Sequence, residues 1–464
     1  MSTASNSRNG LPPGPALPRF IQTLWWVMRP TAFMSECQRR YGDCFSLRIG
    51  SEGMWVLVSD PDSIKKVFTG NPDHLRAGEA GAIMRPVVGN DSVLLLDGPS
   101  HLRQRKLLLP PFHGERMQRY GEVMREITER EIATWPRDRP FPAWPRMQAI
   151  TLEVIIRAVF GVDDAGRVEH VASRIRPVLE FTTSKLGFFI AELGGADRVA
   201  SVASLRVTGL QRAVAGVHEV LDEEIARRRS DRALNEREDI LSMLLQARDE
   251  SGAPMTDQEL RNELITVLVA GHETTASALA WTLERLVRHP EALARLEDEA
   301  NSDDGSYAYA DAVAKEALRL RPVLPLVVRK LTAPLEVHGH QLPIGTTIAP
   351  CIYLVHRRPD VYPDPDAFKP ERFLQNPAGN YTWIPFGGGV RRCVGASFAL
   401  FEMRTVLQTL VRQLHPVAAE SAPERISRRS IFLAPHRAAR IVVRPRTPAT
   451  LLAAGRARAT AASV

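Results

Sequence analysis

The segment Phe386-Gly387-Gly388-Gly389-Val390-Arg391-Arg392-Cys393-Val394-Gly395 concentrates most of the chemistry legible in this chain. Three consecutive glycines let a backbone turn tightly and approach a flat ligand closely. Leu400, Met403, Val406, Leu407 and Leu410 share one helical face, so a helix is expected from about residue 395 to 414. Cys393 then sits at the N-terminal end of that helix, where amide donors and the dipole favour a thiolate, with Arg391 adding positive charge. Such a thiolate is a nucleophile, a redox thiol or a metal ligand. The first two normally come with a histidine base or a second cysteine, and neither is near in sequence. Two further constellations carry reactive types. Val269-Ala270-Gly271-His272-Glu273-Thr274-Thr275 sets an acid beside two hydroxyls, and Glu316-Ala317-Leu318-Arg319 places an acid and a guanidinium on one helix face.

Long elements must position these groups. Thr256-Asp257-Gln258-Glu259 forms a capping box, and the helical pattern after it continues to His289, where Pro290 stops it or starts the next helix. That is about 33 residues, or about 50 Å. Gly271 followed by Thr274 and Thr275 weakens a rigid helix interior, so a kink or widened turn is expected there, a packing irregularity being the plainer alternative. Helical periodicity also covers residues 121–135, 147–160 and 205–229. Strand-like runs at 44–49 and 54–59 flank Gly50 and Gly53 as a hairpin requires, and others fall at 335–337 and 346–350. Residues 1–10 are expected to be disordered, 11–18 a stiff proline-rich lead-in, and the Ala/Arg-rich tail 447–464 unstructured.

The glycine loop resembles the haem-binding signature FxxGx(R/H)xCxG of the cytochrome P450 family, with Phe386, Gly389, Arg391, Cys393 and Gly395 on its fixed positions. The resemblance spans residues 11–446 and implies one domain, mainly α with a small β-rich lobe and one very long central helix. Length alone would suggest two or three domains. It implies haem b with Cys393 as axial thiolate, lined by Phe386, Gly387, Gly395 and Ala270. Residues 270–275 resemble the family's oxygen-activation motif (A/G)Gx(D/E)T(T/S); by that likeness Thr274 and Glu273 deliver protons to dioxygen reduced at the iron, and His272 is a packed or solvent-facing residue. ExxR begins at Glu36, Glu122, Glu224 and Glu316, but only Glu316 lies at the family's distance from the cysteine. Pro370-Glu371-Arg372-Phe373 matches the family's PERF motif, which implies a structural fastener of Glu316, Arg319 and Arg372. His101 and Arg105 match its HxxxR propionate clamp, with Arg329 and Arg391 as further propionate partners. His338 and His340 are read as surface strand residues, not a metal pair.

The same likeness implies a substrate pocket lined by residues 74–97 and 181–193, by Val267 and Ala270, and by 323–327 with Leu324, Leu326 and Val327. Its aliphatic character suits a fatty acid, terpenoid or steroid-like compound, with Arg76 and Arg85 either carboxylate holders or surface charges. The expected reaction is hydroxylation with dioxygen by a soluble, cytoplasmic, bacterial, monomeric haem-thiolate monooxygenase. No flavin or iron–sulfur segment follows Cys393, so an external ferredoxin or flavodoxin with an NAD(P)H reductase is expected. Arg391, Arg392, Arg103, Lys106 and Arg116 would form the docking face. The alternatives are a peroxide-driven peroxygenase or isomerase, branches that typically lose the acid–threonine pair, and a haem-based sensor or electron carrier.

Composition bounds the rest. With 44% hydrophobic and 24% charged residues, disordered and fibrous classes are excluded. Four cysteines without a CxxC pair are no disulfide scaffold and suit a reducing compartment. The net charge of +7 invites a nucleic-acid reading. However, residues 421–464 hold nine arginines and one glutamate, leaving 51 basic and 52 acidic groups in the first 420 residues. No nucleic-acid partner is therefore expected. Residues 20–28 are too few to span a bilayer, and only eleven residues precede the PPGP run, so no membrane anchor is expected. Phe20, Trp25, Trp26 and Met28 are expected to pack a first helix, contact with a membrane surface being the alternative.

Overall fold

The computed structural model describes residues 10–50, 53–112, 116–182, 204–302, 305–375 and 379–446. Eight helices frame the site: α1 (Gly98–Leu108), α2 (Arg116–Ala133), α3 (Ala143–Phe160), α4 (Ala165–Thr182), α5 (Ser204–Arg229), α6 (Asp257–Leu286), α7 (Ala308–Leu320) and α8 (Ala396–Gln413). α6 is buried on almost every side, as an apolar helix through the centre of a large core must be. Its capping box forms as expected: the Glu259 amide donates to Thr256 Oγ1 at 3.2 Å, and the Thr256 amide donates to Glu259 Oε2 at 2.7 Å. α6 ends at Leu286, and Pro290 opens a separate helix, Pro290–Asn301. The expected widened turn is not present: the helix is continuous α, and the Thr274 hydroxyl donates to the Ala270 carbonyl at 2.7 Å within its own turn.

The β-rich lobe is one sheet of β1 (Cys44–Leu47), β2 (Trp55–Val58), β3 (Leu75–Arg76), β4 (Arg329–Leu331) and β5 (Thr347–Pro350), in the order β1-β2-β5-β4-β3. β1 and β2 form the expected antiparallel hairpin, with Cys44 opposite Val58. β2 runs parallel to β5, pairing Val56 with Ile348, which draws chain from both ends of the sequence into one sheet. Val56, Val58, Phe68, Leu331 and Ile348 fill the core under one side, and Trp26, Phe33, Phe45 and Leu57 fill a second. The main core lies among the helices.

Strands Phe141–Pro142, Leu414–Ala418 and Arg440–Pro445 make a separate small sheet. The described part of the basic C-terminal segment is thus folded into the body. Arg428 lies 4.3 Å over the Trp26 ring and donates to the Trp26 carbonyl at 2.8 Å, so part of this positive charge fastens the fold. The readings made for residues 1–9 and 447–464 lie outside the described residues.

Candidate active site

The glycine loop is shaped by what it packs against. Gly389 has φ +64°, and a Cβ there would stand 2.0 Å from the Phe68 carbonyl oxygen; one at Gly388 would stand 2.2 Å from the Phe68 ring. Only glycine permits this approach. The Cys393 amide closes the loop by donating to Phe386 O at 2.9 Å, and the Phe386 ring packs 6.0 Å from that of Trp383. Cys37, Cys44 and Cys351 are buried, and burial pushes their thiols up to about 12. Cys393 alone is exposed, at the foot of α8. Protein atoms crowd its thiol and push it up, while the Gly395 amide, Arg105 and Arg392 pull it down. A Cβ at Gly395 would meet nothing within 4 Å, so open space lies beside that residue, two positions from the cysteine.

Above the loop, cations converge with too few anions. His101 and Arg105 come from α1, Arg329 from β4, and Arg391 from the loop itself. Burial and then Arg391 push His101 down to about 4, and the same causes push Arg329 down to about 10. Asp97 is the acid that His101, Arg329 and Arg391 share among the described residues, whereas the acidic group beside Arg105 is the Cys393 thiol. Arg391 donates to Asp97, to Leu96 O, and to Val93 O at 3.1 Å; Arg105 donates to Arg392 O at 2.7 Å. Arg329 and Arg391 share a single carboxylate, and with Arg105 nearby the cluster keeps positive charge to spare for the negative propionates of a haem. The donor set, the accessible thiol and the open space at Gly395 therefore fit a haem.

The fastener forms as the motifs implied. Glu316 and Arg319 are fully buried and paired twice, at 2.7 and 2.8 Å, and Arg372 Nε lies 3.5 Å from Glu316 Oε1. Arg319 also donates to His356 O, Pro365 O and Ala367 O at 2.8, 2.7 and 3.0 Å. His356, which sequence reasoning passed over, completes the link: its Nε2 accepts from the Ile384 amide at 2.9 Å, two residues before Phe386. Its burial pushes the imidazole far below its ordinary value, so it stays a neutral acceptor. Nothing in its sequence context marks it, because its partners lie in distant segments.

Val267, Ala270, Gly271 and Thr274 form the one strip of α6's middle that is not buried. Glu273 faces elsewhere. It is 2% exposed, accepts from Gln148 Nε2 at 2.8 Å, and is pushed up to about 7 by burial. His272 is a packed residue, as expected: its Nδ1 lies 2.9 Å from Thr151 Oγ1, and burial pushes it down to about 3. The segment that follows Asn90 ties the two halves together. The Val93 amide donates to Glu263 of α6 at 2.7 Å, while its carbonyl accepts from Arg391.

Three expectations need correction. Leu326 packs with Val328 against the Trp26 cluster, two residues apart on one side of an extended stretch, and Val327 faces the other way; Leu324, which precedes the bend at Pro325, joins the cluster on Val327's side. Arg103 is held by Asp249 at 2.6 Å and Glu259 at 2.7 Å, and Arg391 is turned inward, so neither is free for a redox partner. Arg392 remains exposed, as does Lys106 beside Glu250. The Arg116 side chain and residues 183–193 of the expected pocket lie outside the described residues. Arg76 and Arg85 are exposed, and His338 and His340 join no cluster of three metal-ligating residues among those described.

The cytochrome P450 family model matches residues 11–443, and the chain belongs to that family. It is accordingly an oxidoreductase, a haem-thiolate monooxygenase with haem b on a cysteine thiolate. It is 41% identical to the putative cytochrome P450 135B1 of Mycobacterium tuberculosis, over 95% of this chain and 93% of that protein. The fold is similar to that of a retinoic-acid-bound cyanobacterial cytochrome P450 (CYP120A1; TM-score 0.79, 24% identity, covering 94% and 99% of the two chains). It is likewise similar to the haem domain of cytochrome P450DA (TM-score 0.80, 22% identity, 95% and 98%).

Proposed function

We propose that this monooxygenase hydroxylates a hydrophobic small molecule of the fatty-acid, terpenoid or steroid class, using electrons from an external ferredoxin or flavodoxin. The observation that carries this reading is the open strip of Val267, Ala270 and Thr274 on an otherwise buried helix, next to Gly271, which packs against Ile155. Val267 and Ala270 lack any polar side-chain atom, so the strip suits an apolar ligand, and Thr274 offers it one hydroxyl. Cys393 would hold the iron, and His101, Arg105, Arg329 and Arg391 would hold the propionates. When bound, the haem supplies dioxygen activation, for which a thiolate ligand favours O–O cleavage.

The protein's part is to bind substrate and meter protons. Glu273, held near neutrality by burial, can give up or take a proton at working pH. Its carboxyl borders a cleft of about 410 Å³ between α2, α3 and α4, lined in part by Gln148, Leu152 and Arg176. Protons would enter by that cleft and pass across α6 toward Thr274. The retained acid–threonine pair favours this reading over a peroxygenase. Two measurements test it: a thiolate-type Soret band in the reduced carbon monoxide complex, and product with a ferredoxin–reductase chain. Product with hydrogen peroxide alone and none with the chain would overturn it. A spin-state screen of lipids, terpenes and steroids names the substrate class.

A further inference from the structure

The helix Arg19–Met28 is built inside out. Its inward face carries Gln22, Thr23 and Trp26, each about 1% exposed, whereas Phe20, Leu24, Trp25 and Met28 are 64, 43, 49 and 70% exposed along the opposite stripe. Of Phe20, Trp25, Trp26 and Met28, only Trp26 is buried as the packed reading expects, while Trp25 sets one ring edge against Phe33 at 5.8 Å and stays half exposed. The inward polar groups have work that fixes the helix in this orientation. Gln22 donates to Leu17 O at 2.7 Å and accepts from the Arg48 amide at 2.9 Å, while Thr23 accepts from the Gly50 amide at 3.2 Å. Arg428 clamps the Trp26 carbonyl and ring from beneath. The helix cannot roll its apolar stripe inward without breaking these bonds. A large apolar stripe rigidly held toward solvent marks an interaction surface.

We propose that this helix docks the protein on an anionic lipid surface, lying in the plane of the interface. Charge selects that occupant. Arg29 is exposed at one end of the stripe, Arg19 at the other keeps its positive charge while donating to the Gly50 carbonyl, and the first acidic residue of the sequence, Glu36, is already paired with Arg39 at 2.7 Å. An apolar face with a tryptophan and flanking arginines is the composition of an interfacial helix, the Arg29 stem being the one placed to reach along the acyl boundary to the headgroups. A twofold pairing of two copies would instead set basic helix ends against each other with no acid on either. No described helix is long and apolar enough to cross a membrane, so the attachment is peripheral.

The test is co-sedimentation of the full haem-loaded chain with vesicles of phosphatidylcholine alone and of phosphatidylcholine mixed with phosphatidylglycerol. Binding to the mixed vesicles should exceed binding to neutral ones by about tenfold or more. The double variant Phe20→Ser/Met28→Ser should lose about tenfold or more of that binding while keeping its carbon monoxide spectrum and unfolding temperature. Arg29→Gln should lose about fivefold on mixed vesicles and nothing on neutral ones. Recovery of the wild-type chain in the supernatant with both vesicles would overturn the proposal, as would equal binding by the double variant. Dimerisation that the double variant abolishes, without vesicle binding, would assign the face to a second copy and overturn it too.

Discussion

Glu273 and Thr274, neighbours in the chain, diverge across the central helix. The Thr274 hydroxyl turns back to Ala270 O at 2.7 Å along the open strip, whereas Glu273 accepts from Gln148 at 2.8 Å beneath α3. Thr274 lies on the open strip and Glu273 on the cleft, so a proton passing between them would cross the helix.

That placement gives Glu273→Gln a pH signature. Burial raises the carboxyl from 4.5 to about 7, so the folded protein holds this proton more tightly than the unfolded chain. The associated stability is full below 4.5 and is lost as pH rises through 7. Glutamine carries no such loss. The variant should match the wild type near pH 4.5 and exceed it by about 1–3 kcal/mol above pH 7 in urea unfolding. An advantage that shrinks as pH rises would refute the assignment. Product per NAD(P)H should fall about tenfold or more, with hydrogen peroxide released instead.

Glu316→Ala leaves Arg319 charged and unpaired in a fully buried site, at a cost of about 3–5 kcal/mol. The expected result is a chain that does not incorporate haem, read as collapse of the Soret-to-protein absorbance ratio. A well-expressed, haem-loaded Glu316→Ala protein counts against the fastener. His356→Leu should act in the same direction but more weakly, by about 1–3 kcal/mol, because it orphans the Ile384 amide.

The glycines of the loop should rank in order. Gly389→Ala puts a Cβ 2.0 Å from the Phe68 carbonyl at φ +64° and should abolish haem binding. Gly387→Ala shares the left-handed backbone, at φ +66°, but its nearest contact is Val327 Cγ1 at 3.6 Å. It should cost about 1–2 kcal/mol and keep its haem. Equal haem occupancy in the two variants would show that close packing on Phe68 does not shape the loop.

For the redox partner, Arg392→Glu with Lys106→Glu should slow reduction at low salt without changing substrate affinity. Arg103→Glu should instead lower thermal stability, because it faces Asp249 and Glu259. Unchanged reduction kinetics in the double variant would remove this surface from consideration.

Local grammar made much of this readable. The capping box at Thr256 and the glycine loop around Cys393 are each written in contiguous residues, and both formed as expected. Orientation was harder. Whether Leu326 or Val327 faces the pocket depends on the register of an extended stretch that no periodicity fixes. His356 acts through Arg319 and Ile384, neither of them its neighbour in the chain. The N-terminal helix misled for a clearer reason: apolar residues are expected inside, and here hydrogen bonds to Arg48 and Gly50 hold the polar side there instead.

The bond from Arg391 to Val93 joins residues 298 apart in sequence, and the loop's close fit against Phe68 spans a similar separation. On the ribosome, the early lobe must wait for almost the whole remaining chain before the thiolate loop can close on it. Haem capture is then a terminal step of biogenesis. When haem is scarce, the accumulating species should be a chain with its central helix formed and this last closure missing, the form most exposed to proteolysis.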